Sequence, residues 1–181
     1  MSEIEQHVLA LGVSGSIAAY KAADLTSKLK QAGIPVQVLM TASAQKLVCA
    51  QTFFTLSQLP VITDLWEIPD WRPGHIELSD RCKVLLIAPA TANILAKIAH
   101  GIADDALSTF YLSHTGPVLV APAMNPRMWN HPATLENCRI LRDRGVFFIG
   151  PVSGNVACGP SGQGRMSSVE EILAAIRPYF A

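Results

Sequence analysis

The chain has 181 residues, with 14 basic and 14 acidic side chains, and half of it is apolar. That balance leaves no electrostatic footprint for nucleic acid or an anionic membrane surface, and no apolar run approaches the ~20 residues of a membrane span. The length suits one domain, residues 1–181.

The four cysteines (Cys49, Cys82, Cys138, Cys158) form no C-x-x-C pair and stand at no metal-ligand spacing from a histidine, so no metal site is expected. The opening MSEIEQHVLA lacks a basic n-region and a sustained apolar h-region. No signal peptide is therefore expected, and the chain reads as cytoplasmic with reduced thiols. A charge fraction of 15% on a small domain points to surface buried between copies of the chain.

The apolar run His7–Val13 predicts the first strand. It enters Ser14-Gly15-Ser16 and then a helix whose apolar spacing is Ile17, Tyr20, Ala23, Leu25 and Leu29, closed by Gly33. Strand, small-residue turn and helix open a mononucleotide-binding βαβ unit. Gly12 and Gly15 would let backbone approach a phosphate, Ser14 and Ser16 would supply hydroxyls, and the helix N-terminus favours an anion. The full G-x-G-x-x-G is missing, and Met40-Thr41-Ala42-Ser43 stands where a ribose-binding carboxylate would be. Hydroxyls there favour a phosphomonoester such as FMN over a dinucleotide.

Pro35–Met40 predicts the second strand and Ser43–Phe54 a helix. Leu59–Gly74, with Trp66, Trp71 and three prolines, predicts an irregular packing or intersubunit arm. His75 follows at a helix start, a position that favours a neutral ring. Lys83–Ala88 is a buried strand running into Pro89-Ala90-Thr91-Ala92-Asn93, where Thr91 and Asn93 either bond a ligand or cap a helix. Helices to His100 and from Ala103 to Ser113 precede the strand Val118–Ala121.

That strand delivers Ala121–His131, a Pro-punctuated loop at a carboxyl end, where open α/β sheets bind ligands. Asn125 can donate and accept there, with Met124, Met128 and Trp129 excluding water. Helix periodicity resumes only after Pro132, with a helix over Ala133–Arg144. Val146–Ile149 is the last expected strand, giving five βα-type units. Gly150–Met166 holds five glycines and two prolines and predicts a mobile lid carrying Cys158. Ser167–Tyr179 predicts a closing helix. Cys49, Cys82 and Cys138 fall on apolar or helical stretches and read as core.

The segments GVSGSIAAYKAADL, GHIELSD, APATANILAKIAHGIADD, PAMNPRMW and ACGPSGQGRM, in this order, resemble the flavin-containing cysteine decarboxylases. The resemblance covers nearly the whole chain. It implies a Rossmann-like or flavodoxin-like, doubly wound, three-layer parallel sheet. It also implies a homotrimer, or a dodecamer of trimers, with FMN at the subunit interface. Gly15, Ser16 and Ile17 match the first FMN loop, Thr41 and Ser43 the second, and Thr91, Ala92, Asn93, Ile94 and Ala123 the flavin contacts. His75 matches the base, Asn125 the contact to the substrate carboxylate, and Cys158 the proton donor on a loop, residues 150–167, that closes over the substrate. Met124, Ala157, Arg165 and Met166 fall with Asn125 and Cys158 on the substrate side.

The implied chemistry explains these residue types. A cysteinyl carboxylate loses CO2 only when the resulting electrons have a sink. Oxidation of the Cβ–S unit by the flavin makes a C=S group β to the carboxylate, and an enethiol results. Its reduction needs a nearby acid. The branch that acts on 4'-phosphopantothenoylcysteine is implied by the lid cysteine, since a saturated product requires that proton. The alternative is oxidative decarboxylation of a peptide's C-terminal cysteine. Flavin prenyltransferases share the fold but are expected to lack the Asn125–Trp129 pattern and the lid cysteine. Phosphatase-inhibiting relatives are expected to carry an acidic or extended tail. The ligase domain of bifunctional relatives is expected to be absent.

Overall fold

The computed structural model describes residues 7–65, 74–154 and 162–181, and of residues 74–77 the backbone alone. In chain order the elements are β1 (Val8–Val13), α1 (Ala19–Gln31), β2 (Val36–Met40), α2 (Ala42–Gln45), α3 (Ala50–Ser57), α4 (Gly74–Arg81), β3 (Cys82–Ala90), α5 (Ala92–His100) and α6 (Ala106–Ser113). There follow β4 (Val118–Pro122), α7 (Pro126–Trp129), α8 (Pro132–Asp143), β5 (Phe147–Phe148), β6 (Val152–Gly154), β7 (Gly162–Arg165) and α9 (Val169–Ile176), with a 3-10 turn over Arg177–Tyr179.

Five strands form one sheet in the order β2-β1-β3-β4-β5, and every pairing is parallel. This is the flavodoxin-like order, which reverses direction between β1 and β3. Parallel strands joined by helices are covered on both faces, so each must be apolar throughout. The fully buried β1, sequence VLALGV, shows this.

The pleat sorts its side chains into two cores. Leu9, Leu11 and Val13 join Val36, Val38 and Met40 against α1, α3 and α9. Val8 and Ala10 join Leu85, Ile87 and Val120 against α5, α6 and α8. The result is the expected three layers. Local chemistry starts the helices where the sheet needs them. Asp105 and Ser108 form a capping box on α6, as do Ser168 and Glu171 on α9. Lys28 bonds Glu170 at 2.6 Å and ties α1 to α9.

Several sequence expectations change. Ile17 and Tyr20 do not face the core: each is 62% exposed, and α1 buries Ala19, Ala22, Leu25, Thr26 and Leu29 instead. The helix begins only at Ala19, so Ile17 lies in the turn before it. The single helix expected over Ser43–Phe54 is two, α2 and α3, broken where Cys49 takes the N-cap position of α3. Cys49 is accordingly exposed rather than core. Cys82 and Cys138 are buried as expected, and burial pushes the Cys82 thiol up to about 12. Gly12 has a packing role: a Cβ there would lie 2.5 Å from Leu107 Cδ1, so it admits α6 to the sheet.

The Gly150–Met166 stretch is not wholly loop. Its two ends pair as an antiparallel hairpin, Ser153 opposite Gln163 and Gly154 opposite Gly162, so Val146–Ile149 does not hold the last strand. At the far end of the sheet, His114 stacks on Phe110 with ring centroids 5.5 Å apart. Both of its ring nitrogens are buried without a hydrogen-bond partner. Burial lowers its pKa; the Pro117 carbonyl is near enough to oppose that shift but not placed to bond either nitrogen.

Candidate functional site

The carboxyl ends of four parallel strands meet along one edge, and hydrogen bonds and close contacts join their loops in sequence. The β2 loop docks on β1, where Thr41 N–H donates to Val13 O at 3.1 Å. Gly15 leaves no room for a side chain, because a Cβ would overlap Ser43 Cβ. Gly15 thus lets the β1 and β2 loops touch. The β1 and β3 loops are joined through Ser14. Its Oγ donates to Pro89 O at 2.7 Å and accepts Thr91 N–H at 3.0 Å. The β3 and β4 loops are joined by Ala123 N–H donating to Ala90 O at 2.9 Å.

The β4 loop then meets the hairpin. Met124 N–H donates to Gly164 O at 2.9 Å, and a Cβ on Gly164 would overlap Met124 O. Gly164 has φ +156 and no space, so only glycine suits both its backbone and its surroundings. A Cβ on Gly162 would be 3.0 Å from Pro126 Cβ. The array therefore runs unbroken from Ser43 to Gly162, along the edge where a doubly wound sheet binds ligands.

Three of its polar residues are helix caps. Thr41 Oγ1 accepts Ala44 N–H at 3.2 Å, Thr91 Oγ1 accepts Ile94 N–H at 3.3 Å, and Asn125 Oδ1 accepts Arg127 N–H at 2.9 Å. The sequence allows Thr91 either to cap a helix or to bind a ligand. Capping is seen, and it fixes the rotamer of a hydroxyl at the mouth of the site. The helix begun by Asn125 and Pro126 was not anticipated, since the sequence pattern resumes only after Pro132. Trp129 lies at the end of this turn, buried in the α5–α8 core, and so does not screen a ligand; Met128 is exposed.

The other expected residues divide clearly. Ser16 is partly buried and its Oγ accepts Ala18 N–H at 3.3 Å, while Ile17, Ser43 and Asn93 are exposed beside it. Thr91 and Ala92 are partly buried and Ala123 buried. The Ile94 side chain points into the core, leaving only its backbone near the loop. Met166 is 2% exposed and packs in the α1–α9 core, so its side chain faces no substrate in this chain. Arg165 is exposed, and its charge, after burial, helps depress the pKa of partly buried Lys21. Two cations thus share this end, and Lys21 was not singled out by the sequence. His75 occupies the first turn of α4 as expected, but its side chain lies outside the described residues, as do Ala157 and Cys158. Among the described residues no His/Cys/Asp/Glu group could hold a metal ion.

A parallel α/β sheet with its cap-bearing loops joined at the β1–β3 reversal is the frame of a mononucleotide-binding protein. The chain belongs to the flavoprotein family: the family model described as Flavoprotein matches residues 1–180. A relative from Bacillus subtilis (strain 168), "Coenzyme A biosynthesis bifunctional protein CoaBC", is 46% identical over 174 residues, covering 94% of this chain and 42% of that protein. The chain spans about two-fifths of the length of the curated relatives it matches first. Among solved structures, a cysteine-to-serine variant of PPC decarboxylase complexed with pantothenoylaminoethenethiol is 31% identical with a TM-score of 0.85, covering 97% of this chain and 98% of that one. The FMN-dependent cysteine decarboxylase SpaF is also 31% identical, with a TM-score of 0.83 and coverage of 98% and 99%.

Proposed function

We propose that this chain is an FMN-dependent carboxy-lyase that decarboxylates the cysteine moiety of 4'-phosphopantothenoylcysteine to 4'-phosphopantetheine, a step of coenzyme A biosynthesis. The observation that carries this is the continuous edge from Ser43 through Gly15, Ser14, Thr91 and Ala123 to Asn125, in a chain similar to a coenzyme A biosynthesis protein and to PPC decarboxylase.

The residues fit FMN. Ser16, Thr41, Ser43, Thr91 and Asn93 are neutral hydroxyls and an amide, suited to a phosphate and a polyol chain, and these loops carry no carboxylate to repel the phosphate. FMN, when bound, supplies the oxidation of the substrate's Cβ–S unit that makes loss of CO2 possible. The chain's own residues bind, orient and move protons. The Asn125 amide orients the substrate carboxylate from a rotamer locked by its cap. His75, at the start of α4, takes a proton during the oxidation, and Cys158 returns one when the enethiol is reduced.

The reading extends to assembly. Exposed Ile17, Tyr20, Leu47 and Phe54 lie in the segments that follow β1 and β2, and a second copy of the chain covering them would complete the FMN site in a homotrimer or a larger assembly of trimers. No helix among the described residues is long and apolar enough to cross a membrane.

The test is an absorbance spectrum of the purified protein, then anaerobic addition of 4'-phosphopantothenoylcysteine with the product mass recorded. An oxidised-flavin band and a product lighter by CO2 alone are expected. Flavin without turnover of this substrate, or a product lighter by CO2 and two further hydrogens, would direct the assignment to the C-terminal cysteine of a peptide. A protein that takes up no FMN overturns the reading.

A further inference from the structure

We infer that Ser14 is a positioning residue for the cofactor: its hydroxyl sets the separation of the β1 and β3 loops and the direction in which Thr91 hydrogen-bonds. The inference rests on the FMN reading above.

A serine hydroxyl has one proton and two lone pairs. The proton goes to Pro89 O at 2.7 Å. One lone pair accepts Thr91 N–H at 3.0 Å, and the Thr91 hydroxyl stands 3.2 Å away. With Ser14's only proton on Pro89, the Thr91 hydroxyl is the donor in that pair. Thr91 Oγ1 also accepts Ile94 N–H. Its proton therefore points inward, and it offers an incoming ligand a lone pair rather than an O–H. Thr91 thus selects a ligand group that donates, such as a ribityl hydroxyl or a ring N–H, and is not set to donate to a phosphate.

Ser14 itself is 2% exposed and all its bonds are internal, so it cannot be the phosphate-binding hydroxyl its place in the loop suggested. Without it, Thr91 N–H and Pro89 O lose a shared partner, and the Thr91 proton is free to swing outward. Of the described hydrogen bonds between the β1 and β3 loops, the one that remains is Ser14 N–H, which donates to Pro89 O at 3.3 Å.

The experiment measures FMN affinity of the full chain by flavin fluorescence quenching, together with thermal melting of each unliganded protein. Ser14→Ala and Thr91→Val are each expected to weaken FMN by roughly tenfold, the scale of one lost buried hydrogen bond. The double variant is expected to lose less than the sum of the two single losses, because the Thr91 hydroxyl is oriented by the Ser14 hydroxyl. Thr26→Ala removes a buried hydroxyl of α1 that bonds Ala22 O, remote from the loops, and is expected to lower the melting point without altering FMN affinity. Ser14→Ala affinity equal to wild type, additive losses in the double variant, or the same weakening in Thr26→Ala would each overturn the role of Ser14. Should Ser14→Ala not fold, Ser14→Cys carries the test. Sulfur is a weaker acceptor, and a loss of about threefold is expected; unchanged affinity overturns the inference. A wild-type chain that binds no FMN overturns the cofactor reading and this inference together, whereas normal wild-type binding with normal Ser14→Ala binding overturns the inference alone.

Discussion

Gly164 accepts a hydrogen bond from the amide of Met124, and the two backbones are so close that Gly164 has no space for a methyl group. The hairpin β6–β7 is thereby held against the residues that lead into Asn125. Gly164→Ala combines a φ of +156 with a backbone clash. It is expected to destabilise the chain by about 1–3 kcal/mol, seen as a lower urea midpoint, and to reduce turnover by displacing Asn125. An unchanged midpoint would mean the hairpin does not press on the β4 loop.

Asn125 carries two tasks that substitution can separate. Asparagine and aspartate cap helices about equally, while alanine costs about 1 kcal/mol. Asn125→Asp should therefore keep the bond to Arg127 N–H and melt like wild type, whereas Asn125→Ala should melt lower. Both should lose turnover, and Asn125→Asp more so, because a second carboxylate repels that of the substrate. A steady-state comparison of KM and kcat checks this; an Asn125→Asp enzyme with wild-type KM would remove Asn125 from the carboxylate.

Two substitutions divide the proposed reaction. His75→Asn is expected to bind FMN and keep its yellow colour when substrate is added anaerobically. Cys158→Ser is expected to release CO2 and yield a product lighter than normal by two hydrogens. Saturated product from Cys158→Ser at the wild-type rate would assign the proton to another group.

His114 sets an acid limit on stability. Its usual pKa is 6.5 and burial lowers it in the folded chain. Below 6.5 the unfolded chain therefore binds more protons, so folding stability is complete above that pH and falls as the pH drops toward the depressed folded value. His114→Leu removes the titrating ring and is expected to flatten the dependence of the urea midpoint as the pH falls below 6.5. An equal slope in both proteins would locate the acid sensitivity elsewhere. Asp105 acts at lower pH. Burial works to raise its pKa, but the Lys97 ammonium at 2.8 Å and the bonds from Ser108 outweigh it, and the net shift is downward. Its contribution is present above the usual carboxylate value and is lost as pH falls through the depressed one.

The sheet could be read from the sequence because a parallel strand covered on both faces needs an unbroken apolar run, as in KVLLIA and VLALGV. The candidate site could be placed at the carboxyl edge because its loops follow those runs. What could not be read depends on where a side chain points. Nothing in Ser14-Gly15-Ser16 distinguishes a hydroxyl turned inward, as Ser14 is, from one turned outward. Ile17 and Tyr20 keep helical spacing yet face solvent: the helix begins after Ile17, and Tyr20 stands on the face opposite the one it buries. The strand GQGR has neither alternation nor apolar content; it forms because its glycines fit against Met124 and Pro126. Pro126 stands at the first position of a helix, a place proline favours, although proline in a short loop gives the same sequence signal.

The bonds that join the β1 and β3 loops through Ser14 link residues 75 and 77 positions apart. Every neighbour pairing in the sheet likewise spans a crossover. Such contacts carry a loop-closure cost, because long stretches of chain must close before any of them is made. The cofactor-binding edge is therefore a property of the finished sheet and not of any part of it. A ligand held there recognises only the fully assembled chain, so its binding free energy adds to the stability of the whole fold. Uptake of flavin in a refolding experiment would mark the moment at which β2, β1, β3 and β4 are all in register.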